Sequence, residues 1–153
     1  MVMKKMVILM AVIALVSAAS AQKYTGTGQD NTKEILNNKY ATGLFKSADG
    51  TILDVENENV QAYFNILDWL DGHVAGLQVY TLRTGLRIPV IRGSIVQIYV
   101  DEIRTDASFL NALSVNDIAM VKVIKSPFAG AAGNGGGGVI AIYTIRAEEE
   151  EEE

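Results

Sequence analysis

The chain of 153 residues has no cysteine, so neither a disulfide nor a cysteine-ligated metal can form. It has one histidine, His73, and a lone imidazole cannot build a metal site without carboxylates at fitting spacing. Asp71 is close in sequence but follows no ligand pattern, so His73 reads as a surface residue just past a helix end. No serine stands in a G-x-S-x-G elbow. Asp101 and Glu102 are adjacent, and neighbours on a strand point to opposite faces, which places them badly as an acid–base pair. No catalytic, cofactor-binding or metal-ligating residue is assigned, and the sequence reads as a non-enzyme. An excess of positive charge is also missing. Of 13 basic residues, Lys4 and Lys5 lie in the first 21 positions, leaving 11; of 18 acidic residues, six form Glu148 to Glu153, leaving 12. A body so close to neutral gives no field for nucleic acid. After Ala21 the longest apolar runs are strand-length, such as Val139 to Ile142, far from the roughly 20 residues that a membrane helix needs.

The two ends read as separate from that body. Met1 to Ala21 begins with Lys4 and Lys5, continues as the apolar run Met6 to Val16, and closes on Ala19-Ser20-Ala21. These are the parts of a secretory signal peptide, with cleavage expected after Ala21. Residues 147–153 are expected to form a solvated acidic tail, because Glu148 to Glu153 repels itself. A calcium ion or a basic partner is the other reading of that run.

Between the ends, residues 22–56 read as an extended leader. Gln22 to Asn38 is polar with no sustained period, and at most Ile35 and Leu36 add a helical turn. Leu44-Phe45 and Thr51-Ile52-Leu53 flank Asp49-Gly50, a hairpin signal. Residues 57–146 carry the main domain. Val60, Tyr63, Phe64, Leu67 and Leu70 share one face of a helix predicted from Asn57 to Gly72, with Asn57 or Asn59 as cap and Gly72 at its C-terminal stop. Tyr63, Phe64 and Leu67 are expected to pack on a sheet, with Trp69 at the rim or in the core. Three strands follow: Val74 to Tyr80; Arg87 to Gly93, where Pro89 implies an edge or bulge; and Val96 to Ile103. Asp106 to Leu113 reads as a short helix with Phe109, Leu110 and Leu113 inward. Ala119 to Lys125 is a strand with Ala119, Val121 and Val123 on one side and Lys122 on the other. Pro127 ends it, and Val139 to Ile145 is a buried strand. The fold class is α+β: a small mixed β-sheet with flanking helices, mainly on one face.

Gly133 to Gly138 contains G-x-G-x-x-G, but a dinucleotide site needs that pattern to open a helix. Here it opens the strand Val139 to Ile142, so Gly130 to Gly138 reads as a mobile loop, or as glycines needed where backbones pass closely.

The order of short motifs resembles one family. These motifs are Asn65-Ile66-Leu67-Asp68 to Gly72, Val74-Ala75-Gly76-Leu77-Gln78-Val79, Ile91-Arg92-Gly93, Ile98-Tyr99-Val100-Asp101, Leu113-Ser114 to Asp117-Ile118, Val121-Lys122-Val123, Lys125-Ser126-Pro127 and Val139-Ile140-Ala141-Ile142. Over roughly Val60 to Ile145 the sequence is similar to the plug domain of TonB-dependent outer-membrane receptors. In two places it departs from that pattern: Glu102 stands where the family has glycine, and Ala132-Gly133 replaces a tyrosine. The segment that grips TonB in such receptors has no clear counterpart in Gln22 to Asn38. The resemblance implies a mixed sheet with flanking helices and a role in transport. Since only Ala147 and glutamates follow Arg146, the expectation is a stand-alone plug-like binding module at the periplasmic side of the outer membrane. Its expected partner is an outer-membrane barrel or another envelope protein, and it is not expected to insert in a membrane itself. A truncated receptor relic, or an interaction module unrelated to import, is the alternative.

Overall fold

A computed structural model gives the structure of the protein and describes residues 27–125 and 137–146. Contacts divide the chain into Met1–Asp30 and Asn31–Glu153. Of the first unit only the opening of a helix is described; both sheets and both cores belong to the second.

Two runs of β-branched and aliphatic residues set the centre. β7 (Ile118–Ile124) and β8 (Val139–Thr144) pair antiparallel, and both are buried almost throughout. Strands covered on both faces read as continuous apolar runs, which is what these two segments show. β8 also pairs in parallel with β5 (Gln97–Val100). β1 (Thr51–Asp54) forms one edge against β7, and β6 (Ile103–Thr105) forms the other against β5. The five-stranded order is β1-β7-β8-β5-β6. A second, antiparallel sheet contains β2 (Leu77–Thr81), β3 (Arg87–Ile91) and β4 (Ser94–Ile95) in that order. Pro89 lies opposite Val79 at a non-hydrogen-bonded position of the β2–β3 ladder, so its missing N–H costs no bond to β2, and its C=O accepts from Val96 N on the other side. β3 is the middle strand of this sheet, so the edge expected from Pro89 is not found; the irregularity lies across from it, where β4 ends at Ile95.

Each face of the large sheet has its own core. On one face Val121, Val123, Ile140, Ile142 and Ile98 meet the helix at Ile66–His73, together with Leu77 and Ile91 of the small sheet. On the other, Met120, Ile124, Val139, Ala141, Tyr143 and Tyr99 meet Leu36, Tyr40, Ala41 and Phe45. The register shifts between Ile118 and Met120. Ala119 is therefore the extra residue of a bulge, and its C=O accepts from Val55 and Glu56 N–H at 3.0 and 3.3 Å. Val121 and Val123 share a face as expected, but the bulge moves Ala119 to the other core.

The fold class stands as read, α+β with a mixed sheet, while several elements differ from the expectation. The leader is not extended at Thr27–Tyr40, which is a helix, α1. Leu36 and Tyr40, one turn apart, anchor it, and most of its other described residues are exposed, so almost no period shows. It also puts a helix on the second face. Leu44-Phe45 lies in a turn and pairs with no strand; Thr51–Asp54 pairs with β7, so the Asp49-Gly50 hairpin is absent. The second helix, α2, starts at Ile66, well after Asn57. Asn65 caps it by accepting from Leu67 N–H, and Gly72 lies inside it. Phe64 is 94% exposed and Tyr63 37%, whereas Leu67 and Trp69 are buried. Val96 to Ile103 is broken by a turn at Asp101-Glu102, and Asp106 to Leu113 holds only the 3-10 turn Phe109–Asn111, with Phe109 exposed.

Candidate functional site

The chain leaves α1 at Ala41 and crosses the sheet through Thr42 to Lys46. Two charged side chains hold this segment. The first is Glu102 at the tip of the β5–β6 hairpin, where Asp101 and Glu102 have φ of 47° and 67°. A two-residue hairpin of this kind needs positive φ at both central positions, hence its preference for glycine. The tip keeps its left-handed form although neither residue is glycine. The Glu102 carboxylate accepts from the backbone N–H groups of Thr42, Gly43 and Leu44 at 3.0, 2.8 and 3.2 Å. The approach is close: a Cβ on Gly43 would lie 3.0 Å from Oε2. Burial alone raises the Glu102 carboxyl, but the bonds from Gly43, Leu44 and Thr42 outweigh it and hold it below the usual glutamate value. Tyr143 Oη donates to the same carboxylate at 3.5 Å; burial first, and then that negative charge, push its phenol upward.

The second is Lys122, 2% exposed in the middle of β7. Its ammonium donates to Asn37 Oδ1, Phe45 O and Lys46 O at 2.8, 2.7 and 3.3 Å. Burial lowers its pKa, and the Asp49 carboxylate partly offsets this. The segment is thus held by its N–H groups at one end and by its C=O groups at the other. Such an arrangement fixes chain segments. It offers no nucleophile, and its charged groups are saturated by neutral partners.

The residues singled out in the sequence are dispersed. Asp101 accepts from Thr144 N and Oγ1 at 3.0 and 2.7 Å, so Asp101 and Glu102 tie down different segments. His73 Nδ1 lies 2.7 Å from Trp69 O, and its ring stacks on the indole, which is buried in the core. Asp71 accepts from Val79 N at 2.8 Å. Gly138, at φ 90°, precedes β8 and its C=O accepts from Gln97 N, so no helix N-terminus forms there. Residues 130–136 of the glycine run, residues 1–21 and the glutamate tail lie outside the described residues. Among the described residues no group of three His, Asp or Glu side chains is placed to hold a metal, and no helix is long and apolar enough to cross a membrane.

Sequence reasoning missed the roles of Lys122 and Glu102. A charge between Met120 and Ile124 in an apolar strand was the available signal for the first. A bulky residue at a glycine position was the signal for the second.

The sequence model of the TonB-dependent Receptor Plug Domain matches residues 46–140. Comparison with curated proteins gives no match. Among solved structures, the RagAB peptide importer in its closed-closed state is 24% identical, with a TM-score of 0.56 over 69% of this chain and 13% of that one. In its open-open state the identity is 26% and the TM-score 0.55. A siderophore receptor from Acinetobacter baumannii is 21% identical, with a TM-score of 0.53 over 67% of this chain and 18% of that one. A ferric enterobactin receptor from Pseudomonas aeruginosa is 22% identical, with a TM-score of 0.52 over 64% and 18%. The chain therefore spans between 13% and 18% of the length of these structures.

Proposed function

The chain belongs to the TonB-dependent receptor plug domain family, and from that premise we propose that it is a non-catalytic binding module of the cell envelope, working as the plug of an outer-membrane importer. The observation that carries this reading is the family match across residues 46–140, which spans β1 to the start of β8 and includes both strands flanking β8. The signal-peptide pattern of residues 1–21 supports export, with the domain facing the periplasm. The saturated hydrogen bonds of Glu102 and Lys122 support a role in binding over turnover. Lipid accepts only helices or closed barrels, since backbone groups there have no water to bond. To sit within the outer membrane, a small sheet with open edges therefore needs a barrel around it, supplied by another chain or by sequence beyond these 153 residues.

Affinity purification from gently solubilised envelopes tests this. The expected result is co-recovery of an outer-membrane barrel, and release of the plug-containing chain by a carbonate wash where the barrel is a separate chain. An antibody against the domain reports on denaturing gels whether the barrel is on the same polypeptide. Recovery only from cytosol, or from periplasm with no barrel on either polypeptide, would overturn the reading.

A further inference from the structure

We propose that the cleft between β3 and β6 is a binding site for a short extended peptide, taken up as an added strand against Arg87. β4 and β5 form one line interrupted at Val96. β8 occupies one side of it: Gln97 N donates to Gly138 O, and a Cβ on Gly137 would lie 2.7 Å from Ser94 O. β3 and β6 share the other side, β3 pairing with Ser94 and Ile95 and β6 with Ile98 to Val100. They meet end to end and part, leaving a cleft of about 350 Å³. Its floor is Ile95 to Ile98 and its walls are Leu86 to Pro89 and Arg104 to Ser108.

The β3 wall is an open strand edge. Leu82 N donates to Leu86 O at 2.8 Å, so Leu86 and Ile88 direct their backbone groups to β2. By the antiparallel alternation Arg87 directs its N–H and C=O the other way, into the cleft. Pro89 shows the same sense, since its outward C=O takes Val96 N at 2.9 Å. The other wall and the floor carry polar side chains left unused. Gln97, Arg104, Thr105, Asp106 and Ser108 make no side-chain hydrogen bond or ion pair with the described residues. The Arg87 guanidinium, by contrast, is committed to Asp68 at 2.6 Å and Asn111 at 3.2 Å.

The chemistry selects the occupant. Arg87 is balanced by Asp68 and Arg104 by Asp106, so the cleft has no net charge for a phosphate or a cation. Mixed donors and acceptors beside a free strand edge match a peptide main chain, which offers both in alternation. Ile95, 62% exposed, gives an apolar surface for one side chain. This wall runs from Leu86 to Pro89, the length of a segment of about four residues at about 3.3 Å each, with Arg87 as its open backbone position. This inference rests on the cleft and not on the import reading.

The test is an NMR titration of the full chain with a capped alanine–valine tetrapeptide and its four singly N-methylated forms. Binding should shift the amides of Arg87, Gln97, Arg104 and Ser108. N-methylation at the position facing Arg87 should weaken binding about tenfold, the effect of one lost hydrogen bond, while other positions change little. A folded Arg104→Ala/Ser108→Ala variant should bind at least about threefold more weakly. No shift at millimolar peptide, shifts that map elsewhere, equal affinity across the N-methyl series, or tighter binding of inorganic phosphate at the same amides would overturn the proposal.

Discussion

Glu102 holds a side chain where a left-handed backbone favours none, at a cost of about 1 kcal/mol. Three charge-assisted amide bonds more than offset that. Glu102→Gln should therefore lower stability by about 1–3 kcal/mol, read from the denaturant midpoint at neutral pH. Its folded pKa lies below the unfolded value. The contribution is thus complete above the ordinary glutamate pKa of about 4.3 and lost as pH falls through the lower folded value. On acidification the native chain should lose the advantage it has over Glu102→Gln; a constant gap down to pH 2 would refute the assignment. Glu102→Gly relieves the backbone and should still be less stable than the native chain. At Lys122, methionine keeps the length but takes the donor from Phe45 O and Asn37 Oδ1, while Lys46 O keeps only its bond from Asn37 Nδ2 at 3.0 Å. Amide exchange in residues 37–46 should accelerate while β8 stays protected; uniform acceleration would mean that Lys122 supports the whole sheet.

α2 has eight residues, too few to stand alone in water, so tertiary burial must hold it. Leu67→Ala should cost about 2–5 kcal/mol. Phe64→Ala should change stability by under about 0.5 kcal/mol, since that ring is solvent-facing. Asn65→Ala removes the bond from Leu67 N and two donor bonds, to Leu110 O and Asn111 Oδ1 at 3.1 and 3.0 Å, and should cost about 1–2 kcal/mol or more. Urea denaturation ranks the three, and a Phe64 effect equal to that of Leu67 would contradict the geometry. The same residues explain what was legible. Leu67 and Leu70 gave the correct face because their spacing follows from burial. Tyr63 and Phe64 continue the spacing by coincidence, and the backbone of Asn65 is extended so that its side chain can cap. Of the two readings of the glycines before β8, Gly138 meets the close backbone approach, abutting Ile124 O at positive φ. Gly138→Ala should disrupt the β7–β8 ladder, seen as lost amide protection in both strands.

The family match starts at residue 46, whereas α1 and the turn through Phe45 lie before it. A chain beginning at Lys46 would keep the matched sequence but uncover Tyr99, Met120, Ile124, Val139, Ala141 and Tyr143. It should bind a hydrophobic dye that the full chain excludes; equal dye binding by the two would show that this face needs no cover. The central strands were readable because a buried β-branched run has few other uses. The cover was not, because α1 shows the sheet little more than Leu36 and Tyr40, and Lys122 looks like any strand lysine until its three acceptors are located.

The pairing of β8 has a consequence for how the chain reaches this state. Among the described elements β8 comes latest in sequence, yet it lies between β5 and β7 and joins the halves of the sheet. Both of its ladders are non-local, and long-range pairing folds slowly because loop closure precedes any reward. Until Val139 to Thr144 arrive, neither hydrophobic face has a floor. A chain shortened before Val139 should remain protease-sensitive throughout, so this fold waits on the segment that comes last among its described elements.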